Sequence, residues 1–333
     1  MDRTPTAPTG APRPGERCVV RHRLPDGSAT DVIGELVAVD AERLTISPRP
    51  QETIMIKTPD VIVIKVVPEI PRGRSPLRTT PAELERIAAP SWVDHHEPLG
   101  EWWLRAAGGF TGRANSACAV GDPGLPLAEA AAAVIAFSAA HGIAPRAQVV
   151  QGSAEDTGLT SLGWRETYAT TDVLVHRLSD LVGSRPRDPS VEVVDELSDS
   201  WFAAFGRYRA VDVDDEVVRR VLRGGAGTVG FGVASDVADQ PADSSESPIS
   251  IGRAHLSHGW VGVSALWTDP LRRGEGKATA VLVALARWAA RRDARNIYLQ
   301  VAQENTSAQK AYGRLGFAHH HTYRYLRPPQ RPR

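Results

Sequence analysis

GWVGVSALWTDPLRRGEGKATAVLVALARWAARR (Gly259 to Arg292), NIYLQV (Asn296 to Val301) and ENTSAQKAYGRLGF (Glu304 to Phe317) together decide how the rest of the chain is read. The first twelve residues form an apolar run rich in β-branched and aromatic side chains, stopped by Asp269-Pro270, and predict a strand. LRRGEGKA (Leu271 to Ala278) predicts a glycine-rich turn. Beyond it Val281, Leu282, Leu285, Trp288 and Ala289 fall on one face at helical spacing. A short strand and a second helix follow, so the order is strand, turn, helix, strand, helix.

A glycine-rich turn that opens a helix suits an anion. Glycines let backbone N–H groups come close to an oxygen, and the helix start leaves several N–H groups unpaired at the positive end of the dipole. Arg272, Arg273 and Lys277 add formal charge, while Glu275 opposes it unless its carboxylate points to solvent. Taken alone, Gly274 and Gly276 equally suit a plain strand-to-helix connection. The turn is not a Walker A, because GxxxxGK[ST] is absent, and it is not GxGxxG with an acidic residue about twenty positions on.

As a whole the stretch resembles the acetyl-CoA segment of the GCN5-related N-acetyltransferases (GNATs). The family's R-x-x-G-x-G/A turn is matched at Arg273, Gly276 and Ala278, and its N-x-x-A-x-x-x-Y-x-x-x-G-F helix at Asn305, Ala308, Tyr312, Gly316 and Phe317. The resemblance implies an α+β fold, a mixed but mostly antiparallel sheet flanked by helices. It implies acetyl-CoA as co-substrate, with the pyrophosphate on the amides of Arg273, Gly274, Glu275, Gly276, Lys277, Ala278 and Thr279. The pantetheine arm would lie along Leu266, Trp267 and Thr268, with a hydrogen bond from Asn305. Tyr312 would be the general acid, in transfer of an acetyl group to a primary amine of a small molecule or a protein by direct attack. From its spacing alone, Tyr312 reads as an aromatic packed on an amphipathic helix. The base is open: residues 259–268 contain no acid, leaving Glu304, His255 and His258 as candidates. A non-catalytic acetyl-CoA-binding interaction or sensor protein is the alternative reading.

At 333 residues the chain exceeds one ordinary domain. Lys plus Arg number 39 and Asp plus Glu number 39, so no net field favours a nucleic-acid or membrane partner. Cys18 and Cys118 are too far apart for a disulfide framework, and a reducing, cytoplasmic setting is expected. Residues 1–16 lack the apolar core of a signal peptide, and Ala128 to Ala140 is too short to span a bilayer. No metal is expected: His319, His320 and His321 are neighbours on a strand and point to alternate faces.

The remaining chain divides by composition. Residues 1–15 read as a disordered tail and 328–333 as a second tail. Five short β-type segments between 16 and 68 predict a small SH3-like barrel, and with no aromatic lining a packing or interaction role is favoured. Pro68 to Pro76 is a linker. Residues 77–180 then repeat the order of 191–327: Asp122-Pro123 parallels Asp269-Pro270, and Leu162-Gly163-Trp164 parallels Leu315-Gly316-Phe317. This first copy has Gly124-Leu125-Pro126 in the turn and Leu159 in the place of Tyr312, so it is expected to be degenerate and to wall the substrate pocket. Within it Arg113, Asn115 and Ser116 sit on an apolar strand predicted over Thr111 to Val120, either bonded to one another or facing substrate. In the second copy, helices are predicted over Asp195 to Tyr208 and Asp214 to Arg223, after a linker from Leu181 to Val193. Tyr208 and Arg209, between those helices, are substrate candidates or ordinary surface.

Overall fold

The computed structural model describes residues 12–49, 52–66, 75–183, 185–208, 213–224, 227–236 and 247–329. Most of both expected tails, most of the 68–76 linker and Arg209 lie outside them. The chain forms two compact units, Met1–Arg74 and Ser75–Arg333.

The first unit is an antiparallel sheet of β1 (Arg17–Arg23), β2 (Ala29–Val39), β3 (Arg43–Arg49), β4 (Glu52–Lys57) and β5 (Val61–Val66), in the order β4-β3-β2-β1-β5. Alternation turns Cys18, Val20, Leu36, Leu44, Ile46 and Ile56 into one core. The Pro25-Asp26-Gly27 turn forms as its residues dictate: Gly27 takes φ 84°, and Asp26 Oδ1 accepts the Ser28 N–H at 2.9 Å.

The second unit begins with α1 (Pro81–Ala88), where Thr80 accepts the Glu83 N–H at 3.2 Å as an N-cap. The first copy continues through β6 (His95–Leu99), β7 (Trp102–Ala106), β8 (Ala117–Cys118), α2 (Leu127–Ala140), β9 (Ala147–Val150), α3 (Ala154–Ser161), β10 (Arg165–Arg177) and α4 (Leu178–Gly183). The second copy is β11 (Val191–Val194), α5 (Asp199–Tyr208), α6 (Asp215–Arg223), β12 (Thr228–Ala234), β13 (Ser250–Ser257), β14 (Trp260–Thr268), α7 (Lys277–Ala290), β15 (Asn296–Ala302), α8 (Thr306–Arg314) and β16 (Ala318–Arg327).

One eleven-stranded sheet runs through both copies in the order β11-β12-β13-β14-β15-β10-β16-β9-β8-β7-β6. The equivalent pairs β8–β9 and β14–β15 are parallel and the rest antiparallel, so the fold is the expected mixed sheet with helices. The two copies exchange their last strands. β10, from the first copy, lies against β15 of the second, and β16, from the second, lies against β9 of the first. β10 and β16 pair with each other at the centre. The copies are therefore interlocked by backbone hydrogen bonds. Around α7 the core contains Val281, Leu282, Leu285, Trp288 and Ala289, the predicted helix face.

Three local expectations change. The strand predicted over Thr111 to Val120 shrinks to β8, because Asn115 Oδ1 accepts the N–H groups of Ala107 (2.8 Å) and Gly109 (2.9 Å) and curls the preceding residues into a loop. His95–Leu99, in the Trp92 to Phe110 stretch whose aromatic, aperiodic sequence reads as irregular, is the edge strand β6. The predicted Leu181 to Val193 linker includes the end of α4 and all but the last residue of β11.

Candidate active site

β14 opens a cleft by leaving its neighbour. It pairs with β15 from Trp260↔Asn296 to Val263↔Leu299 and no further. At the same level its register with β13 slips by one residue between Arg253↔Ser264 and Ile251↔Trp267, leaving a bulge. Ala265 there takes φ 51°, uncommon for a residue with a side chain. From Ser264 to Thr268 the β15-facing edge of β14 has no strand partner among the described residues. Leu266, Trp267 and Thr268 all lie on this stretch.

Below the cleft, α7 starts uncapped. Gly276 is its N-cap in the left-handed region at φ 79°, and Gly274 has φ 89°, so both positions require glycine for backbone reasons. No side chain accepts from the first amides, and nothing lies within 4 Å of where a Cβ would be at either glycine. Glu275 does not compete for these amides: its carboxylate takes Arg272 at 2.7 and 2.9 Å, and Arg272 also reaches Asp236 at 2.7 Å. Lys277 donates to Ser190 at 2.8 Å and Asp188 at 3.2 Å. Among the described residues this leaves Arg273, exposed, as the turn cation without an ion pair. An uncapped helix start, two open glycines and one free arginine fit a diphosphate.

On the far side, Asn305 caps α8, accepting the Ala308 N–H at 3.1 Å. Tyr312, partly buried, packs on Phe317 with ring centroids 5.9 Å apart. Burial, with the phenol of Tyr208 adding to it, pushes the Tyr312 hydroxyl up to about 12. Tyr208, half-exposed at the end of α5, is thus near enough to the general-acid candidate to act on its charge. The exchanged strand β10 supports α8. Its buried Asp172 accepts from Gln303 (2.8 Å), Gln309 (2.9 Å) and Thr322 (2.8 Å). Burial opposes ionisation of Asp172, but these hydrogen bonds and neighbouring His319 outweigh it and hold the carboxyl below its ordinary range. Nothing in the sequence of β10 marked Asp172, because its partners come from the other copy.

The Gly108–Ser116 loop of the first copy borders the same region. Phe110 and Ala114 share a core with Trp92, Trp201, Phe205 and Trp267, and Ala265 packs on it. Asn115 and Ser116 are buried and engaged locally: Asn115 also donates to Thr111 O at 2.9 Å, and Ser116 Oγ accepts from Arg105 at 3.0 Å. Arg113 is partly exposed and donates from Nε to Tyr323 Oη at 2.8 Å.

The first copy differs at the strand end that precedes its turn. Glu155 accepts the Gly121 N–H at 3.0 Å and Glu101 the Asp122 N–H at 2.7 Å. Glu129 stands in the first turn of α2, and Leu159 is fully buried in the place of Tyr312.

The base candidates separate by position. His258 lies at the β13–β14 hairpin, so the strand itself sets it about 30 Å from Thr268 at ~3.3 Å per residue. His255 is fully buried, pushed down to about 3 by burial and by Arg253, with neither ring nitrogen hydrogen-bonded. Glu304 is exposed just before α8. Of the three consecutive histidines, His319 meets Thr322, while His320 and His321 hydrogen-bond each other through Nδ1 at 2.7 Å and reach the Thr79 carbonyl and Glu85 respectively. Elsewhere, the donor atoms of His95, Glu97 and His141 lie within 4.8 Å of one another, on the opposite edge of the sheet from this cleft. No helix among the described residues is long and apolar enough to cross a membrane.

Residues 81–326 match the family model described as probable histone acetyltransferase Rv0428c C-terminal. The chain belongs to this acetyltransferase family. Residues 12–65 match the Rv0428c N-terminal Sm-like domain, so the small barrel expected to be SH3-like is of the Sm-like kind. The uncharacterized N-acetyltransferase YobR of Bacillus subtilis (strain 168) is 26% identical over 254 residues, covering 74% of this chain and 98% of that protein. A GCN5-related N-acetyltransferase from Kribbella flavida superposes with a TM-score of 0.54 at 16% identity, over 75% of this chain and 96% of that one. The protein is thus an acyltransferase of the GNAT N-acetyltransferase family.

Proposed function

We propose that the protein transfers the acetyl group of acetyl-CoA to a primary amine in the cleft of its second copy. The observation that carries this reading is the parting of β14 from β15 at the Ala265 bulge, on the strand that leads through the glycine turn into the uncapped start of α7. In this reading the amides from Arg273 to Thr279, with the Arg273 guanidinium, hold the diphosphate. The free edge of Leu266, Trp267 and Thr268 hydrogen-bonds the pantetheine arm, and Asn305 Nδ2 adds a donor while Oδ1 caps α8. A backbone N–H of the bulge stabilises the oxyanion. The amine nitrogen bonds to the acetyl carbon as the carbon–sulfur bond breaks, the Tyr312 hydroxyl gives its proton to the departing sulfur, and the proton lost by the nitrogen returns through water to the phenol. With a pKa near 12 that phenol stays protonated at neutral pH. The burial that raises it also raises the proton affinity of a thiolate beside it, which keeps the transfer feasible. Tyr208 and Arg113 border the acceptor, and Arg209 belongs to the same segment.

The test is calorimetry of the full chain with acetyl-CoA, followed by a screen of amine acceptors with wild type and Tyr312→Phe. Binding plus turnover that falls steeply in the variant supports the reading. Tight binding without turnover on any acceptor class supports a sensor instead, and no heat on titration refutes both.

A further inference from the structure

We propose that the acceptor amine carries an anionic group, a carboxylate in the simplest case, and that Arg113 of the first copy binds it. This rests on the acetyl-transfer reading above and names the substrate class of that site.

Arg113 is prepared for an anion. Its Nε is fixed by Tyr323 Oη at 2.8 Å, and its guanidinium carbon lies 5.9 Å from the Tyr323 ring and 6.0 Å from the Trp92 ring. The side chain has therefore already lost much of the rotamer freedom that binding would otherwise remove. Among the described residues no carboxylate pairs with it, and neither Nη has an acceptor, which leaves the fork that best matches a carboxylate.

A second guanidinium stands by the same indole. Arg253 lies 4.9 Å from the Trp92 ring, is fully buried, and donates to Leu222 O (2.5 Å), Ser91 O (2.8 Å) and Ser91 Oγ (3.2 Å), none of them charged. Glu85, the acid whose charge Arg113 feels, is held by His321 at 3.0 Å and by Gln148. Two guanidiniums around one tryptophan without a carboxylate between them create a positive potential that a bound anion relieves. The place is right for an acceptor, since the Arg113 loop packs against Trp267 and Ala265 at the bulge. Ser264, across from Arg253 where β14 begins to diverge, has a buried Oγ with no hydrogen-bond partner, one more polar atom on this wall. An arginine-lined wall also disfavours polycationic acceptors.

The test uses the full chain with acetyl-CoA and matched acceptors: amino acids, their carboxamides, and spermidine. In parallel, calorimetry of the CoA-loaded protein measures N-acetyl amino acids against N-acetyl amino-acid amides. Wild type is expected to favour the carboxylate member by about tenfold or more, the worth of one charge-assisted hydrogen bond. Arg113→Ala removes that preference, chiefly through KM, with the acetyl-CoA Kd unchanged, and Arg113→Lys restores part of it. Equal use of carboxylate and carboxamide, preference for spermidine, or an Arg113→Ala protein that keeps the preference overturns the proposal. Absence of any carboxylate-dependent binding to the CoA-loaded protein does so too. Failure to bind acetyl-CoA is a different result, which removes the transferase reading itself.

Discussion

Replacing Asp172 by alanine tests whether the exchanged strand supports α8, the helix that carries Tyr312. Asp172 sits on β10, in the first copy's sequence, yet its carboxylate accepts from Gln303 and Gln309 at the two ends of the α8 entry and from Thr322 on β16, all at 2.8–2.9 Å. A hydrogen bond to a charged group contributes about 1.5–3 kcal/mol. The three donors are only partly covered and water replaces part of each bond, so Asp172→Ala is expected to cost about 2–3 kcal/mol in total. For a unit of this size that lowers Tm by about 4–12 °C. Asp172→Asn keeps an acceptor without the charge and should lose about half as much. The sign of the pH dependence follows from the depressed carboxyl. A group whose folded pKa lies below its unfolded value stabilises fully above the unfolded value, near 3.9. That contribution is lost as pH falls through the folded value. The gap between wild type and Asp172→Asn should therefore be full at pH 7 and close in acid. Thermal unfolding followed by circular dichroism at both pH values measures it, and turnover should fall with stability as α8 and Tyr312 loosen. A Tm change below about 1 °C at pH 7, or a gap that persists in acid, would refute the buttress.

The other expectations are more local. Tyr312→Phe should lower kcat by about 10²–10⁴-fold with acetyl-CoA affinity unchanged. With the phenol near 12, the wild-type rate should show no loss from its deprotonation up to about pH 10; an alkaline limb centred near 10 that vanishes in the variant would contradict the pKa assigned to it. Arg273→Ala should weaken acetyl-CoA about three- to tenfold and reduce the salt dependence of binding, checked by calorimetry at two ionic strengths, because the cation is exposed and screened. Thr80→Ala removes the α1 cap and should cost about 0.5–2 kcal/mol in equilibrium unfolding, without touching cofactor binding.

Local chemistry made much of this protein legible. The glycine turn, the apolar face of α7 and the strands follow from backbone sterics and side-chain spacing within a few residues, and each forms where its residues require; the Asn305 cap was not read from the sequence. The first copy's lack of the turn glycines and of a tyrosine at the Leu159 position was also readable. Its acids Glu101 and Glu155, which take the Asp122 and Gly121 amides, gave no such signal, because they approach from separate elements.

Contacts between distant segments belonged to the tertiary structure alone. Which strand lies beside β15 depends on pairing across more than a hundred residues, and any apolar strand of suitable length satisfies the local rules. The bulge at Ala265 exists because β13 and β14 slip against each other, not because alanine favours φ 51°. Arg113 looked like one polar residue on a strand; folding turned that strand into a loop and set its guanidinium against Trp92 and Tyr323, side chains supplied from 21 and 210 positions away.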